Sequence, residues 1–324
     1  MSAEEFPSVW KALPVEAART CGVLGVLPEG VVVDRFDVAA ACGLLPGEAG
    51  RHLGLLSATP LLEGTGSAGL YRVPDVACRF VRERAVGEGH GGQAQVLRRW
   101  LDRLLWVAIG LDRVVGPVHP LHRVPGDSAH RPREKDLPAT GARSAMAWLA
   151  PRKNTLVTAV RAAHEAGFVT VVWQLTLALR PVWQRLRPHE QAVATHTLAL
   201  AAVRRHRPPR VRAELLVMAA LAGTLRDAGH HTRARNLYRE IHQRAQELDD
   251  QRMAATALDG EGHTLQARTP LSGGRLALPS PAAAPSRNQP PRPTTSPPPP
   301  REPWRCRSAT RGRPDCGSPY AATR

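Results

Sequence analysis

The stretch Leu61–Ala85 reads LLEGTGSAGLYRVPDVACRFVRERA, and the order of its signals decides the fold. Two apolar runs flank Gly64, Gly66 and Gly69, which supply the positive φ that a tight hairpin turn requires. Pro74 follows at the start of a helix, where its missing N–H costs no hydrogen bond. From Asp75 on, Val76, Phe80 and Arg84 recur at four-residue steps with Ala77 and Val81 alongside. The stretch therefore predicts a hairpin followed directly by an amphipathic helix.

Toward the N-terminus three more helices are predicted. Pro14 in a first turn and Glu16 near the positive end of the dipole open one whose Ala17, Cys21 and Leu24 share a stripe. After the β-branched Val31–Val33, Asp34 caps a second helix carrying Phe36, Val38 and Ala41, which stops at Gly43. Pro46 starts a third, with Ala49, Leu53 and Leu56 on one face, and Pro60 turns the chain out of it. Three helices, a wing and a closing helix are the order of a winged-helix domain, here spanning residues 8–86.

Tyr71, Arg72, Val73, Pro74 and Asp75 carry a family resemblance. The run is similar to the Tyr-Arg-x-His-Asp of the winged helix in bacterial STAND-class NTPases of the NB-ARC type, which regulate transcription and signalling. In that family the histidine reaches bound ADP. The resemblance implies that Pro74 and Asp75 occupy the nucleotide-sensor positions and that this chain, with proline for imidazole, senses no nucleotide; no cofactor is expected. A phosphate-cradling Gly-x4-Gly-Lys-Ser/Thr is missing, because none of Lys11, Lys135 and Lys153 follows a glycine. The chain thus resembles the part of such a regulator that follows the P-loop domain.

Residues 87–143 are read as a linking helix, marked by Leu97, Leu101, Leu104, Ala108 and Leu111, and a connection rich in proline and histidine. His119 and His122 lie there without a carboxylate or cysteine at ligand spacing, so no metal is expected. Over residues 144–268 helical spacing returns. Small Ala222 and Ala234 stand where two helices must approach, Gly229 sits at the turn between them and Tyr238 fills the outer end. With Leu221 and Leu225, these positions resemble a bacterial tetratricopeptide repeat. Gly262 and Leu265 repeat Ala222 and Leu225 forty residues later, and Ala178 with Ala192 form an earlier, weaker copy. Units of this kind are stable only by stacking, and their concave face binds a peptide or partner helix.

The formal charge is +16, but residues 269–324 hold nine arginines against Glu302 and Asp315, so the tail contributes +7 of it. The same residues contain 14 of the 30 prolines, including Pro297–Pro300, and are expected to be disordered. The abrupt change at Arg268 suggests a shifted or truncated reading frame; Pro290 and Pro293 offer a weak PxxP alternative. Arg204, Arg205, Arg207 and Arg210 form a basic group between repeats that suits an acidic partner or a solvated loop.

Catalysis is not expected. No nucleophile elbow, HExxH helix or CxxC pair is present, and the five cysteines are widely separated. Phe168–Leu179 is too short to span a bilayer, and the acidic start lacks an apolar leader, which predicts a cytoplasmic protein without membrane contact. A duplex-binding winged-helix regulator is the alternative function. It is disfavoured because Arg51 is the one arginine on the third helix, close to Glu48. The sequence therefore points to a mostly α protein, a small winged helix before a tetratricopeptide-like array, serving as the non-enzymatic sensor and protein-interaction part of a regulator. Its expected partner is a protein or peptide, including a nucleotide-binding domain on another chain.

Overall fold

The computed structural model describes residues 6–87, 92–115, 137–139 and 141–268, with backbone alone at 85–87 and 268. His119 and His122 in the connection, and the 269–324 tail, lie outside the described residues. The chain is mostly helical: fourteen helices and one two-stranded hairpin occur among the described residues.

The first elements are α1 Phe6–Ala12, α2 Val15–Val26, α3 Arg35–Cys42 and α4 Pro46–Ser57. Asp34 caps α3 reciprocally: its Oδ1 accepts from the Phe36 and Asp37 amides, while Asp37 Oδ2 accepts from the Asp34 amide. Gly43, at φ 75°, ends that helix in the left-handed conformation. In α4, Pro46 takes the first turn and the Glu48 carboxylate accepts from the Leu45 amide at 3.1 Å. Cys21, Leu53 and Leu56 are fully buried where these helices meet. Each leucine removed from water in this way contributes on the order of 1.5–3 kcal/mol.

Strands β1 Glu63–Gly64 and β2 Tyr71–Arg72 pair antiparallel, with Glu63 opposite Arg72. Val33 adds a bridge to Tyr71 through hydrogen bonds of 2.8 and 3.0 Å, which fastens the hairpin to the segment before α3. Gly66 and Gly69 take positive φ, whereas Gly64 lies within the strand and does not. Helix α5, Asp75–Gly87, buries Ala77 and Val81. Val76 is 71% exposed, so the buried stripe sits one residue later than the Val76, Phe80 and Arg84 steps suggest. The reason is backbone contact: a Cβ on Gly25 of α2 would fall 2.7 Å from the Val81 carbonyl oxygen, leaving room only for the short side of α5.

Helix α6, Gln93–Val115, occupies the place predicted for a linker, and its role is larger. Trp100, Leu101, Leu104, Ala108 and Leu111 are fully buried along it. One side packs on α3 and α2, the other on α7 Ala142–Leu149, α8 Lys153–Glu165 and α9 Val169–Ala178. The described residues up to 268 accordingly fall within one compact unit with a continuous core.

Two direct ties cross from α8 to the N-terminal elements. The Val32 amide donates to Thr155 Oγ1 at 2.9 Å, 123 residues away. Arg152, 5% exposed at its side chain, bonds Asp34 Oδ2 and lies with its guanidinium 4.1 Å from the Trp148 ring centroid.

After α10 Arg180–Leu186 come α11 His189–Arg205, α12 Val211–Asp227, α13 His231–Glu247 and α14 Gln251–Arg268. Each of the last three packs on its predecessor, as three-residue turns at 228–230 and 248–250 require. Gly229, at φ 83°, lets the first of these turns close. Ala222 and Ala234 are both fully buried between their helices. Glu214 gathers Arg204 and Arg244, receiving two parallel bonds of 2.7 and 2.9 Å from the latter. These bonds hold its carboxyl down at about 2, with the Arg244 bond the largest cause. Arg204 is therefore part of an α11–α12–α13 clasp, and Arg207 bonds the carbonyls of Arg204 and His206. Of the basic group Arg204, Arg205, Arg207 and Arg210, Arg204 is thus paired within the chain.

Candidate functional site

The array opens a groove of about 640 Å³ whose walls come from α9 through α14. Trp183, Leu216 and Met253 form apolar wall. Three features of the local sequence put polar groups into it. His189, Ala192 and His196 recur on one face of α11 at helical spacing, so the first half of that helix lines the groove. Gly260 comes so close beneath Tyr238 that a Cβ there would overlap the ring, which lets α14 approach and turns Tyr238 toward the opening. Arg187, at φ 49°, reverses the chain between α10 and α11 and brings its side chain to the rim.

His196 is 3% exposed, with Nδ1 held at 2.7 Å from the Ala192 carbonyl. Burial lowers its pKa to about 4, so near neutral pH the ring is uncharged. With Nδ1–H donating to that carbonyl, Nε2 carries an acceptor lone pair. Tyr238 is 5% exposed, and burial raises its pKa. Trp183 meets the His196 ring edge-on at 6.3 Å between centroids.

Charged residues line both sides of the groove: Arg180, Arg187 and His189 on the α10–α11 side, and Arg226, Asp227 and Asp259 on the α12–α14 side. Arg180 is engaged with Asp112 of α6 at 2.9 Å and Arg226 with Asp227 at 2.9 Å. Among the described residues Arg187 has no ion-pair partner, and Asp259 meets the imidazole of His263 at 3.4 Å.

The residues singled out from sequence are distributed unevenly around this site. Tyr238 lines the groove; Leu221, Ala222, Leu225 and Ala234 are buried in the helix contacts behind it, and Gly229 is at the turn. Gly262 does not make the close approach: a Cβ there would meet nothing within 4 Å, and the close contact falls at Gly260. A forty-residue repeat misplaces it because the intervening helix and turn give a spacing of 38 between the crowded positions Ala222 and Gly260. Pro74 and Asp75 are at the start of α5, away from the groove; the Pro74 carbonyl accepts from the Ala77 and Cys78 amides. His196 and Arg187 are visible in sequence only as a helical histidine and a loop arginine, with no signal that they converge.

A second cleft, of about 910 Å³, lies between α4, the hairpin loop and α7. Arg51 and Gly50 of α4 line one wall and Trp148 the opposite one.

Compared with protein-family models, curated proteins and solved structures, the chain matches none of them. Among the described residues no helix is long and apolar enough to cross a membrane.

Proposed function

We propose that this chain is the ligand-sensing and protein-interaction part of a STAND-type transcriptional or signalling regulator, and that it acts without catalysis. In this reading α2 to α5 with the hairpin are a winged helix, and α11 to α14 are tetratricopeptide-like units whose groove captures the ligand or partner. The order of helices, the Val33–Tyr71 bridge and the small residues between α12, α13 and α14 support it. The observation that carries it is the groove itself, lined by two buried polar side chains, His196 and Tyr238. Capture would shift the balance between two states of the regulator.

The test is quantitative affinity capture from an extract of the source cell with the full chain and with Ala220→Trp, which fills the groove. A partner retained by the first and lost by the second supports the reading. Equal retention removes it.

The duplex-binding alternative predicts tight, salt-sensitive binding of the full chain to DNA, steeper than one arginine on α4 can produce. A gel-shift series from 50 to 200 mM salt (about the range over which such contacts lose most of their affinity) decides between the two.

A further inference from the structure

The second cleft, between α4, the hairpin loop and α7, has a charge balance of its own. Asp34, Arg35, Arg51 and Arg152 line it. Asp34 is spent on Arg152, which leaves the cleft with the positive charges of Arg35 and Arg51. These two stand side by side. The Arg35 stem runs across α4 at Gly50, where a Cβ would fall 3.8 Å from its Cδ, and Arg51 is the next residue of that helix. The Arg35 guanidinium lies 4.8 Å from the Phe36 ring centroid, and among the described residues neither arginine has an ion-pair partner. Neighbouring like charges repel, and an anion seated between them relieves that cost.

The facing wall is aromatic and short of acceptors. Trp148 carries the Arg152 guanidinium on its ring, and both residues are at least nine-tenths buried. Their Nε1 and Nε atoms are donors with no hydrogen-bond partner. A buried donor left unmet is costly, so this wall too favours an acceptor. Phe36 and Tyr71 add flat apolar surface. The volume of about 910 Å³ is that of a site for a compact molecule.

We propose that this cleft binds a small aromatic carboxylate. Its carboxylate pairs with Arg35 and Arg51, whose forked donors match two oxygens, and its ring lies against Trp148 and Tyr71. The walls come from α4 and the hairpin loop on one side and α7 on the other, so the bound molecule braces the seam that the Arg152–Asp34 bond already crosses. The site is separate from the groove of α9 to α14 and does not rest on the reading of that groove.

The probes are naphthoate, its neutral isostere naphthylmethanol, and inorganic phosphate, each titrated into the full chain by isothermal calorimetry. Naphthoate should bind about tenfold or more tighter than either of the others, the worth of a charge-assisted hydrogen bond. In the double variant Arg35→Gln with Arg51→Gln its advantage over the alcohol should vanish. Ala147→Trp, at an exposed position of α7 that lines the cleft, should block both aromatic probes. Arg35 and Arg51 are exposed as well, so unchanged circular dichroism and melting will certify the fold of the variants.

If the alcohol binds as well as naphthoate, charge is not read and the proposal fails. If phosphate binds as well, the ring is not read and it also fails. Naphthoate affinity that survives both variants places the ligand elsewhere, and no binding of naphthoate overturns the site altogether.

Discussion

Arg152 and Asp34, 118 residues apart in sequence, share a hydrogen bond that joins the start of α8 to the cap of α3. Asp37, fully buried, stands behind the pair with its Oδ2 4.0 Å from the same guanidinium. Arg152 Nε and Asp37 Oδ1 have no partner, so the cluster is only partly satisfied. Removing the arginine would leave the Asp34 carboxylate and the buried Asp37 carboxyl without their cation. Arg152→Met should cost about 3–5 kcal/mol in urea unfolding, and Asp34→Asn in the same chain should recover part of it. A change under 1 kcal/mol (about the worth of an exposed pair) would refute the tie.

Asp37 also gives a pH dependence. Burial, helped by the Asp34 charge and opposed by Arg152 and Arg103, raises its pKa from the ordinary 3.8 to about 7. The folded chain then holds a proton that the unfolded chain releases. Its contribution is complete below 3.8 and is lost as pH rises through 7. The melting temperature should fall as pH rises from 3.8 to about 7, the interval between the two values. Asp37→Asn should flatten that slope; an equal slope in the variant would exclude Asp37 as its source.

Glu214 runs the opposite way. Its pKa drops from 4.5 to about 2, so its clasp on Arg244 and Arg204 stabilises fully above 4.5 and is lost as pH falls through 2. Glu214→Gln should unfold at about 2 kcal/mol lower stability at neutral pH, the scale of a charged hydrogen bond, with the deficit vanishing near the acid end. A deficit that persists in acid would assign the loss to packing instead.

Two glycines of α14 separate the repeat geometry from helix propensity. Gly260→Ala forces a methyl into the Tyr238 ring and should cost about 1–3 kcal/mol. Gly262→Ala meets open space and should stabilise by up to about 1 kcal/mol, the gain of alanine over glycine in a helix. Thermal melts of both report the result, and the same sign for the two would undo the placement of α14.

The elements were legible where a residue type leaves few choices. Asp34 as a cap, Gly43 as a stop and Pro46 in a first turn follow from backbone chemistry alone, and α3 and α4 begin and end accordingly. Helix α1 was not legible, because its reason is distant: Phe6 and Trp10 lie against Phe80, with ring centroids 5.7 and 5.9 Å apart. On α5 the sequence marks Ala77, Phe80 and Val81 on the inward side, whereas Val76 is exposed, because the backbone approach at Gly25 centres the contact on Val81. The groove was the least legible part. Arg187, His196, Tyr238 and Asp259 come from four separate segments, and only the stacking of the helices makes them neighbours.

The position of α6 limits how this chain can be taken apart. With Trp100, Leu101 and Leu104 lodged between the hairpin-bearing half and the array, a cut on either side strips one half of its wall. Neither half is a self-sufficient module, so dissection into separately expressed fragments would yield sticky, incompletely folded pieces. Heat should melt the described residues between 6 and 268 in a single cooperative step, and a bend at the waist would have to break the burial of α6.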